Sequence, residues 1–170
     1  VRKRAELLEL AGANLEIIDI PELAHRNVAM LLPEDAKGVA LLSLASDYGL
    51  VTITRQGELY LSRNLEMGVD TLLNSERRED YFDRIVLEVQ RSLDYYESQL
   101  RQPPVTSLVI VPTARPVPGL TEHLKANLSM AVLELDLNRL LDCRTELTPA
   151  QQSMCFNTIG AALRHEEAVL

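Results

Sequence analysis

The chain has 170 residues, 46% of them hydrophobic and none of them Trp, enough for one domain, or one domain plus part of another, built on Leu, Val, Ile and Ala. Its formal charge of -8 excludes a binder of phosphate backbones, and its one dense basic run, Arg2-Lys3-Arg4, is too short to line a nucleic-acid groove. No apolar run approaches the ~20 residues that cross a bilayer, no signal peptide is visible, and the chain starts at Val1, so we expect a piece of a longer protein without direct membrane insertion.

In chain order, Arg2 to Ala11 alternates charge and Leu at helical spacing until Gly12 stops it. Leu15 to Ile20 predicts a strand, and Pro21-Glu22 then opens a helix to about Leu32, with Pro in its first turn and Glu at its positive end. Pro33-Glu34-Asp35 is a break, where we place a subdomain boundary. Three apolar runs come next, Val39 to Leu44, Leu50 to Thr54 and Leu59 to Arg63, with Asp47-Tyr48-Gly49 and Arg55-Gln56-Gly57 as turns, an antiparallel meander. A short helix is expected over Met67 to Leu73.

Phe82, Ile85, Val89, Leu93, Tyr96 and Leu100 then recur at steps of three and four, opposite Arg84, Glu88, Arg91 and Glu97. This is an amphipathic helix of roughly six turns, closed by Pro103-Pro104. Ser107 to Val111 reads as a strand buried on both faces, Gly119 to Leu128 as a helix, Ala131 to Leu135 as a strand and Leu137 to Leu141 as a helical turn. Thr148-Pro-Ala-Gln151 is a capping box with Pro at the first helical position, opening a last helix to about His165 through Met154, Phe156, Ile159, Ala162 and Leu163.

Few side chains suggest chemistry on their own. Cys143 and Cys155 follow no metal spacing and are expected as buried or half-buried thiols in a reducing compartment. His25, His123 and His165 lie far apart and read as surface or helix-end histidines, and Glu166-Glu167 beside His165 as a solvated helix terminus. Neither a metal set nor a catalytic set can be argued from spacing.

After Pro33 the order is β-β-β-α-β-α-β-α, an α/β arrangement whose mixed sheet has an antiparallel meander followed by alternating strands and helices, flanked by helices. This order resembles the ribonuclease H-like unit of the actin superfamily. Gly57-Glu58-Leu59, Ser62-Arg63 and Gly68, then Pro118-Gly119-Leu120, Ile159-Gly160-Ala161-Ala162-Leu163-Arg164 and Asp19-Ile20-Pro21-Glu22-Leu23-Ala24, are similar to stretches of the PilM family of pilus assembly proteins. Asp83-Arg84-Ile85 through Leu93-Asp94-Tyr95-Tyr96 resembles the MSHA branch of that family, and the cytoplasmic part of the type II secretion protein GspL is a rival with the same kind of fold.

The resemblance implies that residues 1–33 are the terminal helix-strand-helix of one actin-like subdomain and residues 34–170 a second, ribonuclease H-like domain. It further implies a scaffold of type IV (MSHA) pilus biogenesis on the cytoplasmic face of the bacterial inner membrane. Its partners would be the tail of a PilN-like bitopic protein and other pilus components, with a homo-oligomer possible and no nucleic acid.

The departures from the family pattern concern ATP. The family's Asp-x-Gly phosphate turn falls on Ser43-Leu44-Ala45, where no carboxylate can hold Mg²⁺ and a Cβ obstructs close approach. The literal Asp-x-Gly at Asp47-Tyr48-Gly49 serves only if the hairpin slips, and reads as a plain turn. At the adenosine loop Pro112-Thr113 replaces Gly-Gly, and proline offers no N–H. Ser43, Ala45, Asp47, Gly49, Pro112 and Thr113 are therefore expected to be vestigial nucleotide positions, with no cofactor, no catalytic residue and no metal. The alternatives are an active actin-like ATPase using Asp47 and Gly49 with Mg²⁺ and ATP, or a GspL-like secretion component.

Overall fold

Five strands make one sheet in the order β3-β2-β1-β4-β5, in a computed structural model that describes residues 2–13 and 17–164. β1 (Val39–Leu44), β2 (Gly49–Arg55) and β3 (Glu58–Leu65) form the meander expected from the two short turns. β4 (Ser107–Ile110) joins β1 in parallel, Val39 facing Ser107, and β5 (Ala131–Glu134) joins β4 in parallel, Ser107 facing Ala131. β1 and β4 are central, so both faces of their apolar runs are covered, whereas β3 alternates exposed and half-buried residues up to the buried Leu65, as an edge strand does.

Helices cover both faces. On one lie α3 (Val69–Asn74), α4 (Arg78–Ser98) and α5 (Leu120–Asn127), enclosing Ala40, Leu42, Val51, Ile53, Leu108 and Ile110 against Phe82, Ile85, Val89 and Leu124. The buried stripe of the 21-residue α4 follows the predicted spacing, and Glu88 on its flank bridges Arg63 and Arg91 at 3.0 and 2.7 Å. Burial alone would raise the Glu88 carboxyl, but the two guanidinium groups outweigh it and hold it below its usual range.

On the other face lie α2 (Pro21–Ala29) and α7 (Pro149–Ala162), in direct contact, with α6 (Leu137–Leu140) leading into α7, packed over Val39, Leu41, Val109 and Val111. α7 opens with the capping box read from Thr148 and Gln151. α1 (Arg2–Leu10) precedes this layer, with Leu7, Leu8 and Leu10 exposed.

Four expectations are corrected. Residues 17–20 belong to no strand, while Leu15 and Glu16 lie outside the described residues. Residues 17–20 pair with no strand of the sheet, and Ile17, Ile18 and Ile20 stay exposed. α2 stops at Ala29, because Pro33 disfavours helix in the residue before it and the chain tightens through i→i+3 bonds into a 3₁₀ turn at Pro33–Lys37. Met154 is 78% exposed and Cys155 is exposed, because α7 buries Gln152, Phe156 and Gly160 instead. α7 ends at Ala162, and His165, Glu166 and Glu167 lie outside the described residues.

Two sequence-distant motifs meet where α2 crosses α7. A Cβ on Gly160 would stand 2.4 Å from the Ala24 carbonyl oxygen, so only glycine lets the backbones approach this closely. Asn27 Nδ2 donates to the Gly160 carbonyl at 2.8 Å, and Arg164 lies 3.6 Å from the Asp19 carboxylate.

Candidate functional site

The hairpin between β1 and β2 carries four of the candidate nucleotide positions, Ser43, Ala45, Asp47 and Gly49. Ser43 faces Leu50 and Leu44 faces Gly49 in the ladder, and the Ala45 N–H donates to the Tyr48 carbonyl at 2.9 Å to close the turn. Gly49 is thus a ladder residue, paired also with Leu65 of β3, and Asp47 stands at the tip.

The turn carbonyls point at α3. Ala45 O accepts from the Val69 N–H and Ser46 O from the Asp70 N–H, both at 2.8 Å. These are among the first N–H groups of α3, which have no partner inside the helix. A Cβ on Gly68 would lie 2.5 Å from Ala45 O and 2.6 Å from Asp47 N, so the glycine at 68 lets α3 seat on the hairpin backbone.

The second loop leaves β4 beside the hairpin. Val111 N–H donates to Leu42 O at 2.9 Å, Pro112 comes next, and Thr113 Oγ1 donates to Arg115 O at 2.8 Å. The Arg115 guanidinium then pairs with the Asp70 carboxylate on α3. α3 therefore ties the two loops together, by backbone bonds on one side and a half-exposed ion pair on the other.

His25 is a residue that sequence reasoning placed wrongly. It is 1% exposed, with Nδ1 3.2 Å from Thr52 Oγ1 and Nε2 3.1 Å from Ser43 Oγ, and its ring meets Phe156 edge-on at 5.1 Å. Burial pushes its pKa down to about 4. The neutral ring has one N–H and one bare nitrogen, so it donates to one hydroxyl and accepts from the other. Ser43 is thereby engaged with the helix beneath it. Thr52 rather than a carboxylate stands behind the imidazole, and the Ala45 amide is already bonded, so the pair lacks the further parts of an acyl-transfer site. The available signal was its place on α2 beside the buried Ala24 and Val28.

A wide cleft of about 940 Å³ opens at the carboxyl ends of β4 and β5, the usual ligand position of an open α/β sheet. Val111, Val117, Leu120 and Leu135 supply apolar lining, and Pro112 and Thr113 belong to the wall. Gln152, 4% exposed, fixes the far side: its Oε1 accepts from Leu137 N at 2.8 Å, and its Nε2 donates to Asp136 Oδ1 at 3.0 Å and Leu147 O at 3.1 Å. The bond from Gln152 also holds the Asp136 carboxyl below its usual range. Among the described residues no group of three or more His, Cys, Asp or Glu is placed to hold a metal ion.

The structure thus brings Ser43, Ala45 and Pro112 around one small void with His25 and Tyr48, while Thr113 faces the larger cleft. His123, expected at a surface or helix end, lies within α5, half-buried and 2.8 Å from Asp83.

No family model and no curated protein matches the chain. Solved structures do match its fold. The PilM-PilN type IV pilus biogenesis complex superposes with a TM-score of 0.68 at 18% identity, over 94% of this chain and 56% of that one. The ethanolamine utilization protein EutJ from Carboxydothermus hydrogenoformans gives 0.56 at 13% identity, over 94% and 59%. The Alp12 filament structure gives 0.51 at 10% identity, over 82% and 52%. The chain has an actin-like fold, as its element order led us to expect. It spans little more than half the length of these structures.

Proposed function

We propose that this chain is an MshI-like, PilM-like scaffold of type IV pilus biogenesis of the MSHA class, and that it is a pseudo-ATPase. The fold similarity to PilM in its complex with PilN supports the pilus reading. One observation carries the loss of nucleotide binding: the hairpin turn presents the carbonyls of Ala45 and Ser46, which accept the first amides of α3, where a phosphate cradle needs free N–H groups. Pro112 removes a further donor from the neighbouring loop. These residues do not fit a Mg²⁺-bound triphosphate, and Ser43, whose hydroxyl bonds His25, has no charge with which to hold the metal.

In this reading residues 34–170 form the second domain and residues 1–33 the end of a preceding subdomain. The exposed Leu7, Leu8, Leu10, Ile17 and Ile18 support that division, being the surface that a neighbouring subdomain covers. The partner is the cytoplasmic tail of a PilN-like bitopic protein, and the scaffold sits peripherally on the inner membrane. Among the described residues no helix is long and apolar enough to cross a membrane.

Calorimetric titration with Mg·ATP and Mg·ADP, together with capture of the PilN-like tail, tests this reading. It expects no nucleotide binding at millimolar concentration and retained capture. Micromolar, Mg²⁺-dependent ATP binding that Asp47→Ala weakens establishes the active ATPase instead. Loss of tail capture without nucleotide binding removes the scaffold role.

A further inference from the structure

The cleft beside β5 is separate from the hairpin that carries the pseudo-ATPase reading, and its chemistry is the same whether or not the chain serves a pilus. β5 is a terminal strand of the sheet. Its Ala131 and Leu135 N–H groups turn inward, to Thr106 O at 3.1 Å and Ile110 O at 2.9 Å. The two-residue period of a strand therefore turns the N–H and C=O of Val132 and Glu134 outward, away from β4. Leu133 beside them is 39% exposed. This open edge runs directly into the cleft, which Glu134, Leu135 and Asp136 line.

The cleft's charge is one-sided. Glu122, Glu134, Asp136 and Glu146 face it with a single guanidinium, Arg139, which Asp136 already holds at 3.4 Å. Glu122 lies in the first turn of α5, so a carboxylate of the chain itself already complements that helix end. The Glu134 carboxylate accepts from Thr121 Oγ1 at 2.8 Å and stays exposed. Phosphate-rich ligands meet repulsion here, while an extended chain bearing Lys or Arg meets complementary charge, an apolar floor and backbone groups that no described residue pairs with.

We propose that this surface binds an extended basic segment of a partner protein. The segment's main chain pairs with Val132 and Glu134 as a sixth strand, and its alternate cationic side chains reach Glu134 and Glu146. Edge pairing supplies affinity in this mode and the pockets for alternate side chains supply specificity, while charge-assisted hydrogen bonds from guanidinium or ammonium groups to carboxylates strengthen it.

The test uses the whole chain and two fluorescent probes, Ac-Lys-Val-Lys-Val-Lys-Val-Lys-amide and its counterpart with Glu in place of every Lys. The cationic probe should bind and weaken several-fold as salt rises, and the acidic probe should not bind. The double variant Glu134→Lys/Glu146→Lys should lower affinity about 10- to 100-fold. Glu134→Gln/Glu146→Gln, which keeps an acceptor for Thr121, should give a smaller loss, and it decides the matter if thermal melting shows the charge reversal to be unfolded. Amide exchange at Val132 and Glu134 should slow on binding. No binding at millimolar probe, equal binding of both probes, indifference to the variants, or protection confined to the hairpin overturns the proposal. None of these outcomes depends on nucleotide or on a pilus protein.

Discussion

The Ala45–Tyr48 hairpin and the loop from Pro112 to Gly119 follow neighbouring parallel strands at the same end of the sheet, yet one is filled and the other borders open space. The hairpin is filled by backbone: the Ala45 and Ser46 carbonyls are taken up by the first amides of α3, the Ala45 N–H by Tyr48, and the backbone against Gly68 leaves no room for a Cβ. The second loop is held by one side-chain ion pair and walls a cleft of about 940 Å³. A turn seated backbone to backbone against a helix is hard to reopen, since the helix must move first. A loop held by a side-chain pair keeps its volume beside it and can take an occupant.

The sharpest test of that contrast is Gly68→Ala. With backbone atoms 2.5 and 2.6 Å from the new methyl, α3 must leave the hairpin, and we expect a loss of about 3 kcal/mol in urea unfolding. A loss below about 1 kcal/mol would show that the hairpin is less tightly filled than its geometry indicates.

Beneath the hairpin, His25 makes stability depend on pH. The folded ring has its pKa lowered to about 4 from 6.5, so the unfolded chain binds the proton more tightly. The His25 contribution is complete above pH 6.5, falls as pH drops toward 4 and levels off below, a total of about 3 kcal/mol. Denaturant midpoints across that range should follow this curve, and the same curve should flatten in His25→Gln.

On the cleft side the effects are smaller. Gln152→Ala leaves the Leu137 N–H without its side-chain partner, while the Leu147 carbonyl keeps Asn138 Nδ2, and a cost of about 2 kcal/mol is expected, with faster exchange of the Leu137 amide. Arg115→Ala removes only a half-exposed ion pair, so melting should move by less than about 1 kcal/mol. If Arg115→Ala proved as costly as Gly68→Ala, the distinction between the two loops would collapse.

Much of the fold was legible because its signals are local. The period of Phe82 to Tyr96 set α4, the turns at 47–49 and 55–57 set the meander, and Thr148 to Gln151 set the start of α7. The candidate positions were legible as departures from a pattern, but not the contacts that these side chains make instead. Nothing near Ser43 in the sequence announces His25, which lies 18 residues away. Likewise Leu15 to Ile20 has the residues of a strand, yet residues 17–20 pair with no strand of the sheet.

By itself, then, the sequence determined most of the elements and their order, since propensity, capping and residue identity act within a few positions along the chain. Tertiary structure alone decided that α3 would stopper the hairpin, that a histidine would be buried neutral beneath Ser43, and that β5 would end the sheet beside an acidic cleft. Each of those depends on backbones brought within van der Waals distance by packing, and no local pattern encodes such an encounter.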